Sequence, residues 1–164
     1  MELLVNGRSL GRKAAGDSHR FRAEFETAYQ PGELTAIAYT RGTETGRHLL
    51  RSAAGPVLLH AEADRQVITA GGGDRAYVSL TLADQAGTCC THADRPVRLE
   101  VSGQGVLAGF GSANPSTEER FDAAERRTYD GRALAVLRPT GPGKIRLTAT
   151  APGCEPAEIL ITAE

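Results

Sequence analysis

The chain has 164 residues, with 19 basic and 20 acidic side chains and a formal net charge of −1. A balance of this kind excludes a strongly basic surface for nucleic acid or for an anionic membrane. No apolar run approaches the roughly 20 residues that a membrane helix needs. We therefore expect neither nucleic acid nor membrane as a partner.

The first part of the chain predicts short strands joined by tight turns. Asn6-Gly7 stands between two short runs, a pattern typical of a two-residue hairpin. The segment 19–29 alternates in polarity, which predicts a strand with one apolar face. The apolar positions of that face are Phe21, Ala23 and Phe25.

Another strand pattern follows the turn expected at Pro31-Gly32. Along residues 33–42 one predicted face differs from the other, as in a strand of an antiparallel sheet. Small residues and a proline at 53–56 then indicate a joint between domains. We place the first domain at residues 1–56 and the second at 57–164.

About seven strand patterns fill the second domain, the number and spacing of an immunoglobulin-like sandwich. The segment 132–139 is almost continuously apolar, as expected of a central strand. The predicted core of this domain consists of Tyr77, Val78, Leu80, Leu82, Val97, Leu99, Val101, Leu134, Val136, Ile145 and Leu147.

The Gly-rich stretch 103–111 resembles a phosphate-binding loop only superficially. A phosphate loop needs a following helix and usually a lysine with serine or threonine, and this stretch has neither. We interpret its glycines as corners of a sandwich and the stretch as a long connection between strands. Ser116 and Glu119 could form a helical capping box, but we expect no more than a short helical turn there.

Adjacent thiols and a nearby imidazole raise the question of a metal site. Cys89, Cys90 and His92 form a cramped set, and Cys154 lies far along the chain. Structural zinc requires four ligands that converge with tetrahedral geometry. We therefore predict no metal site and interpret the first three residues as part of a surface loop.

Acidic residues cluster in the segment 118–130, where arginines are interleaved with them. Glycoside hydrolysis needs two carboxylates that face each other across a cleft, at about 5 to 9 Å. The interleaved charges predict instead a solvated surface of self-paired ions. The acids concerned are Glu118, Glu119, Asp122, Glu125 and Asp130. The four histidines, which we expect at the surface or at sheet edges, are His19, His48, His60 and His92.

Several separately spaced motifs resemble one bacterial enzyme family. "ELLVNGRSLGRK", "YQPGELTAIAYTRG" and "LLRSAAGP" are similar to the domain that follows the catalytic barrel in glycoside hydrolase family 2 enzymes of the β-galactosidase type. "DRQVITAGGGDRAYVSLTLADQAG", "VSGQGVLAGFGSANPSTEERF", "YDGRALAVLRP" and "GKIRLTATAPG" resemble the terminal immunoglobulin-like domain of these enzymes. The resemblance covers almost the whole chain in the family's order.

The resemblance implies an all-β protein of two immunoglobulin-like antiparallel β-sandwich domains, the first of them incomplete. A catalytic (β/α)₈ barrel takes about 250 residues and has no counterpart in this chain. We therefore expect a non-catalytic C-terminal part of a putative β-galactosidase, accessory to the hydrolysis of β-glycosidic bonds. We predict no catalytic, cofactor-binding or metal residue, and the barrel of the parent chain as the partner.

The family pattern also differs from this chain in places. A Trp is common where Phe25 stands, and the family's "NGDP" is "SANP" here, with Asn114-Pro115 kept. A strand usually precedes Glu2 in the family, so we expect the chain to begin inside the first domain. Its absence would uncover apolar side chains or an open strand edge, and an open edge favours self-association through the first domain.

Two other functions stay open from the sequence. Terminal domains of this kind resemble the immunoglobulin-like repeats of bacterial adhesins, although "VNGRSLG" favours the hydrolase. A carbohydrate-binding module usually presents exposed aromatic rings to sugars. With no Trp, four Tyr and four Phe, the chain is poorly equipped for that role.

Overall fold

Strands make up nearly all the regular structure of residues 1–71 and 73–164, which this computed structural model describes. The strands are β1 (Glu2–Val5), β2 (Arg8–Arg12), β3 (Glu33–Thr40), β4 (Thr43–Arg51), β5 (Leu58–Ala63), β6 (Val67–Ile68), β7 (Ala76–Ala83), β8 (Pro96–Gly103), β9 (Gly105–Gly111), β10 (Glu125–Arg127), β11 (Arg132–Pro139), β12 (Gly143–Thr150) and β13 (Ala157–Ala163). Within that part of the chain, the helical residues form one 3₁₀ turn, Asp17–His19, and no helix is long and apolar enough to cross a membrane. The predicted all-β class is confirmed.

The chain forms two compact units, residues 1–53 and 54–164. The sequence-based boundary after residue 56 stays a prediction. The first unit is one antiparallel sheet in the order β2-β1-β3-β4. Its first hairpin turns at Asn6 and Gly7, whose φ angles of 50° and 78° suit the two-residue turns that match strand twist.

The strand predicted over residues 19–29 is wrong. Arg20 and Phe21 have φ angles of 54° and 56°, outside the extended region. Phe21 is 77 % exposed, whereas Ala23 and Phe25 are half-buried in irregular chain. Polar and apolar residues alternate in this segment, but no neighbouring strand in the described part of the chain pairs with it through backbone hydrogen bonds.

Strand β1 lies inside its sheet, because it pairs with β2 on one side and with β3 on the other. The edges of the sheet are therefore β2 and β4. Leu3 and Leu4 are half-buried, while Val5 and Ile37 are buried. Self-association through this unit stays a prediction, and β2 and β4 are the strands that would mediate edge pairing.

The second unit is a sandwich of two sheets. One sheet has the order β10-β8-β12-β13-β6 and the other the order β5-β7-β11-β9. The pairs are antiparallel except for β6 with β13. The described residues of this unit thus form nine strands, where about seven were predicted. Two of the nine are only two and three residues long.

The core lies between these sheets and follows the alternation of the strands. Most of the predicted core positions are buried: Val78, Leu80, Leu82, Val97, Leu99, Ile145 and Leu147, with Val101 partly buried against them. The core prediction is wrong for Tyr77 and Leu134, which are 44 % and 42 % exposed. Val136 is only half-buried. In β11, Ala133, Ala135 and Leu137 face the core instead.

Most of the Gly-rich stretch 103–111 lies in strands. Gly105–Gly111 forms β9, which pairs with β11, so the interpretation as corners is wrong for Gly105, Gly109 and Gly111. Only residues 112–124 form the long connection, and this connection contains no helix. Gly103, with a φ angle of 85°, makes the actual corner between β8 and β9.

Candidate functional site

An apolar groove of about 570 Å³ lies on the outward face of the second unit. It runs over β7, β11 and β9, and the connection 112–124 forms its wall. The residues that give the groove its shape are Ser79, Thr81, Gly109, Gly111, Phe121 and Leu134. Carbon atoms dominate this lining, and Arg132 is the charged residue in it.

Two glycines form the floor of the groove. Gly111 lies opposite Leu134, and Gly109 lies opposite Val136, on the outward face of the sheet. A Cβ atom at Gly111 would lie only 2.8 Å from the Phe121 ring. The ring can therefore rest directly on the backbone of β9, and a larger residue would displace it.

The wall of the groove is fixed by a buried cation. The Arg126 guanidinium lies 5.1 Å from the centre of the Phe121 ring. It donates to the Glu119 carboxylate at 3.0 Å and to the backbone carbonyl of Arg120. The backbone N–H of Phe110 also donates to the Phe121 carbonyl at 2.7 Å. These contacts tie the connection to β9 and β10.

The groove is equipped for binding rather than for chemistry. Its lining contains hydroxyl groups and one guanidinium, but no carboxylate, imidazole or thiol. General acid–base and nucleophilic catalysis both need such a group within hydrogen-bond reach of the substrate. Apolar concave surfaces with few polar groups are instead typical of binding sites.

Asp84 is a second buried polar feature, and its role is structural. Its carboxylate accepts hydrogen bonds from the backbone N–H groups of Ala54, Ala86 and Thr88, at 2.8 to 2.9 Å. These bonds, the one from Ala54 above all, hold the pKa of Asp84 below its usual range. The carboxylate thereby joins the start of the second unit to the turn after β7.

The thiols serve separate local contacts. Cys89 donates to the carbonyl of Asp130 at 3.5 Å, while Cys154 accepts from Arg95 at 3.1 Å and donates to the carbonyl of Val57 at 3.3 Å. Cys90 is buried, contrary to the expected surface loop, and burial raises the pKa of its thiol. In the part of the chain that the structure describes, no three His, Cys, Asp or Glu side chains are grouped as metal ligands.

Among the described residues, the predicted self-pairing holds for two of the five acids, Asp122 and Glu119, and the segment is not wholly solvated. Arg120 and Asp122 form an exposed two-point ion pair at 3.0 and 2.6 Å. Arg126 departs from the prediction, since its side chain is 0 % exposed and pairs with Glu119. The histidines lie at the surface as expected: His19, His48, His60 and His92 are all exposed.

Neither the groove nor the buried arginine was found from the sequence. The one signal for the groove is the pairing of Gly109 and Gly111 with Leu134 and Val136, which requires the strand register. Arg126 looks like any other charge of its segment, because Glu125 and Arg127 beside it are exposed.

Each of the two units contains a segment that matches the profile of a known domain family. The family profile "Glycoside hydrolase family 2 C-terminal domain 5" matches residues 59–160. A domain of unknown function (DUF4982) matches residues 1–46.

Two curated relatives and a solved structure show how the chain compares with longer proteins. The β-galactosidase BoGH2A of Bacteroides ovatus is 34 % identical over all of this chain, which spans 19 % of that protein. A β-galactosidase of Thermoanaerobacter pseudethanolicus is 32 % identical over 76 % of the chain and 15 % of its own length. A family 2 glycosyl hydrolase structure from Bacteroides cellulosilyticus superposes with a TM-score of 0.94 at 34 % identity, over 99 % of this chain and 21 % of that one.

The chain therefore spans only 19 % and 15 % of the length of the two curated relatives it matches. The family profile covers more than half of the chain, and the solved neighbour shares its fold over nearly every residue. This chain belongs to the glycoside hydrolase family 2 C-terminal domain 5 family.

Proposed function

We propose that this chain is a non-catalytic accessory part of a larger family 2 glycoside hydrolase that acts on β-galactosides. The observation that carries the proposal is the coverage: the whole chain aligns with only 19 % of a β-galactosidase that is 34 % identical to it. The parts of such an enzyme that touch the substrate then lie outside these residues.

The geometry of the described residues supports an accessory role. The groove over β7, β11 and β9 has an apolar lining without an acid or a base. Two acids of the segment 118–130 are engaged with arginines, Asp122 with Arg120 and Glu119 with Arg126. A retaining or inverting glycosidase instead needs two carboxylates that face one another across a sugar-sized space.

The role of the accessory part is to pack against the catalytic barrel of the same polypeptide. A rigid sandwich with a preformed groove is suited to such packing, because little conformational entropy is lost on docking. The barrel in turn supplies the catalytic groups that these residues lack.

The test compares the complete polypeptide encoded by the gene with this 164-residue chain. We expect the complete polypeptide to hydrolyse a nitrophenyl β-galactoside and the chain alone to release no product above a mock preparation. A complete polypeptide that is inactive on β-galactosides and on other β-glycosides would refute the proposal.

A further inference from the structure

The outward face of the sheet β5-β7-β11-β9 combines an apolar centre with basic ends. Along β11 the outward side chains are, in order, Arg132, Leu134, Val136 and Arg138. Tyr77 of β7 lies opposite Val136 and extends the apolar centre. Leu134 and Tyr77 are 42 % and 44 % exposed, although their strand neighbours Ala133, Ala135 and Val78 are buried. An exposed apolar cluster beside a groove is typical of an interaction site.

The charges around this centre are mainly positive. Among the described residues, Arg132 and Arg138 form no ion pair. Arg75 precedes β7 at the Arg138 end, and His60 lies in the row of Arg132 through its pairing with Thr81.

The carboxylates near the face do little to balance these charges. Glu62 of β5 lies two strands from Leu134, or roughly 10 Å. Asp64 and Asp122 are already paired with Arg65 and Arg120. The face therefore favours a partner that brings its own carboxylates to the two ends of β11.

A second copy of the chain fits this face poorly. In a two-fold pair through the same face, each copy would present its arginines to the arginines of the other. Like charges opposed across an interface are costly. A sugar is also a poor occupant, since most of its hydroxyl groups would lose their hydrogen bonds against a lining that is mainly carbon and has few polar side chains. An apolar side chain fills such a groove without that loss.

We infer that this groove is the docking site for the catalytic part of the same polypeptide, which inserts an apolar side chain between Leu134 and Phe121 and presents carboxylates to Arg132 and Arg138. The inference rests on the proposed function and specifies the surface that carries it out. The covalent connection supplies a high effective concentration, so a groove of about 570 Å³ is sufficient for stable docking.

Thiol labelling tests the inference directly. Leu134→Cys places a reactive group in the groove, and Leu160→Cys serves as a matched control. Leu160 is 46 % exposed on the outward face of the opposite sheet, next to Arg146. Each variant is made in the 164-residue chain and in the complete polypeptide, and maleimide labelling is followed by peptide mass spectrometry, which separates the native thiols.

We expect the thiol introduced at position 134 to react at least about tenfold more slowly in the complete polypeptide than in the chain alone. The thiol at position 160 should react at similar rates in both. In the complete polypeptide, Arg132→Glu with Arg138→Glu, or high salt, should restore labelling at position 134, because docking depends on opposite charges.

Three results would overturn the inference. One is equal labelling at position 134 in both proteins. Another is protection in the isolated chain that rises with its concentration, which would indicate a second copy. The third is protection of the isolated chain by galacto-oligosaccharides or a polyuronate, which would indicate a carbohydrate site.

Glycosidase activity is measured on the same samples to separate the docking inference from the proposed function. A complete polypeptide that is active but leaves position 134 unprotected refutes docking alone. A complete polypeptide that is inactive but protects position 134 refutes only the proposed function.

Discussion

The guanidinium of Arg126 is completely buried and lies 5.1 Å from the centre of the Phe121 ring. The same side chain donates to a carboxylate and to two backbone carbonyls of the connection between β9 and β10. Its Nε atom has no partner among the described residues. One cation thus fixes both the loop and the aromatic wall of the groove.

Replacing Arg126 should loosen the connection at residues 112–124. We expect Arg126→Ala to lower the free energy of unfolding by about 1.5 to 3 kcal/mol, the usual worth of a hydrogen bond to a charged group. Urea unfolding measures this loss, and limited proteolysis should show new cleavage within the connection. Arg126→Lys keeps the charge without the planar fork and should rescue only part of the effect. If Arg126→Ala is cleaved no faster than the parent chain, the connection is held by other contacts.

The strand register of the second unit can be tested with a pair of leucines. Leu80 is 0 % exposed, whereas Leu134 is 42 % exposed. We expect Leu80→Ala to cost about 2 to 5 kcal/mol, and Leu134→Ala to cost less than about 1 kcal/mol in the isolated chain. Denaturant titration of both variants measures the difference. Comparable losses at the two positions would contradict the inward and outward faces described for these strands.

Asp84 should make the second unit sensitive to acid. Its folded-state pKa lies below the usual value near 4, because the charged form accepts three backbone hydrogen bonds. The stability that the ionised Asp84 carboxylate contributes is fully present above the pKa that Asp84 has in the unfolded chain. It is lost as the pH falls below about 4 toward the pKa of Asp84 in the folded chain.

We expect Asp84→Asn to lower the melting temperature at pH 7, since its amide would place a donor against a backbone donor. The melting temperature of the variant should also change less than that of the parent chain between pH 5 and pH 3 (about the range of carboxylate titration). Thermal melts across this range test the claim, and identical pH profiles for the two proteins would refute it.

The two units should differ in their ability to fold alone. Residues 54–164 enclose a continuous core between two sheets, whereas the buried apolar residues of the first unit are Val5 and Ile37. A single sheet without a second layer buries too little apolar surface to offset its loss of entropy. We expect the 54–164 polypeptide to melt cooperatively and the 1–53 polypeptide to remain unfolded by circular dichroism. A cooperative transition in the shorter polypeptide would contradict this.

The sequence was most informative where polar and apolar residues alternate. Val78, Leu80 and Leu82 are separated by polar residues, so only one orientation of β7 is reasonable, and the structure has it. The resemblance to family 2 enzymes was also correct, because it depended on several spaced motifs rather than on one.

The pattern was ambiguous where both faces of a strand are apolar. In β11, Leu134 and Val136 are larger than Ala133 and Ala135, and they were the residues predicted to lie in the core. The structure reverses this assignment because Phe110 of β9 lies opposite Ala135 and is itself buried. A small residue beside that ring avoids overpacking. This choice depends on the neighbouring strand, which the local sequence does not specify.

The candidate groove could not be predicted from the sequence for a similar reason. It depends on Phe121 resting over Gly111 and on the burial of Arg126, which are contacts across a long connection. A charged and apparently solvated segment gave no sign that one of its arginines lies inside.

The most direct test of the central claim is the activity of the purified 164-residue chain itself. The chain is incubated at high concentration with nitrophenyl β-galactoside and nitrophenyl β-glucuronide, beside a mock preparation and a known β-galactosidase. A non-catalytic accessory part predicts product formation no faster than in the mock preparation with either substrate. Turnover that exceeds the mock rate and co-purifies with the chain would contradict the claim.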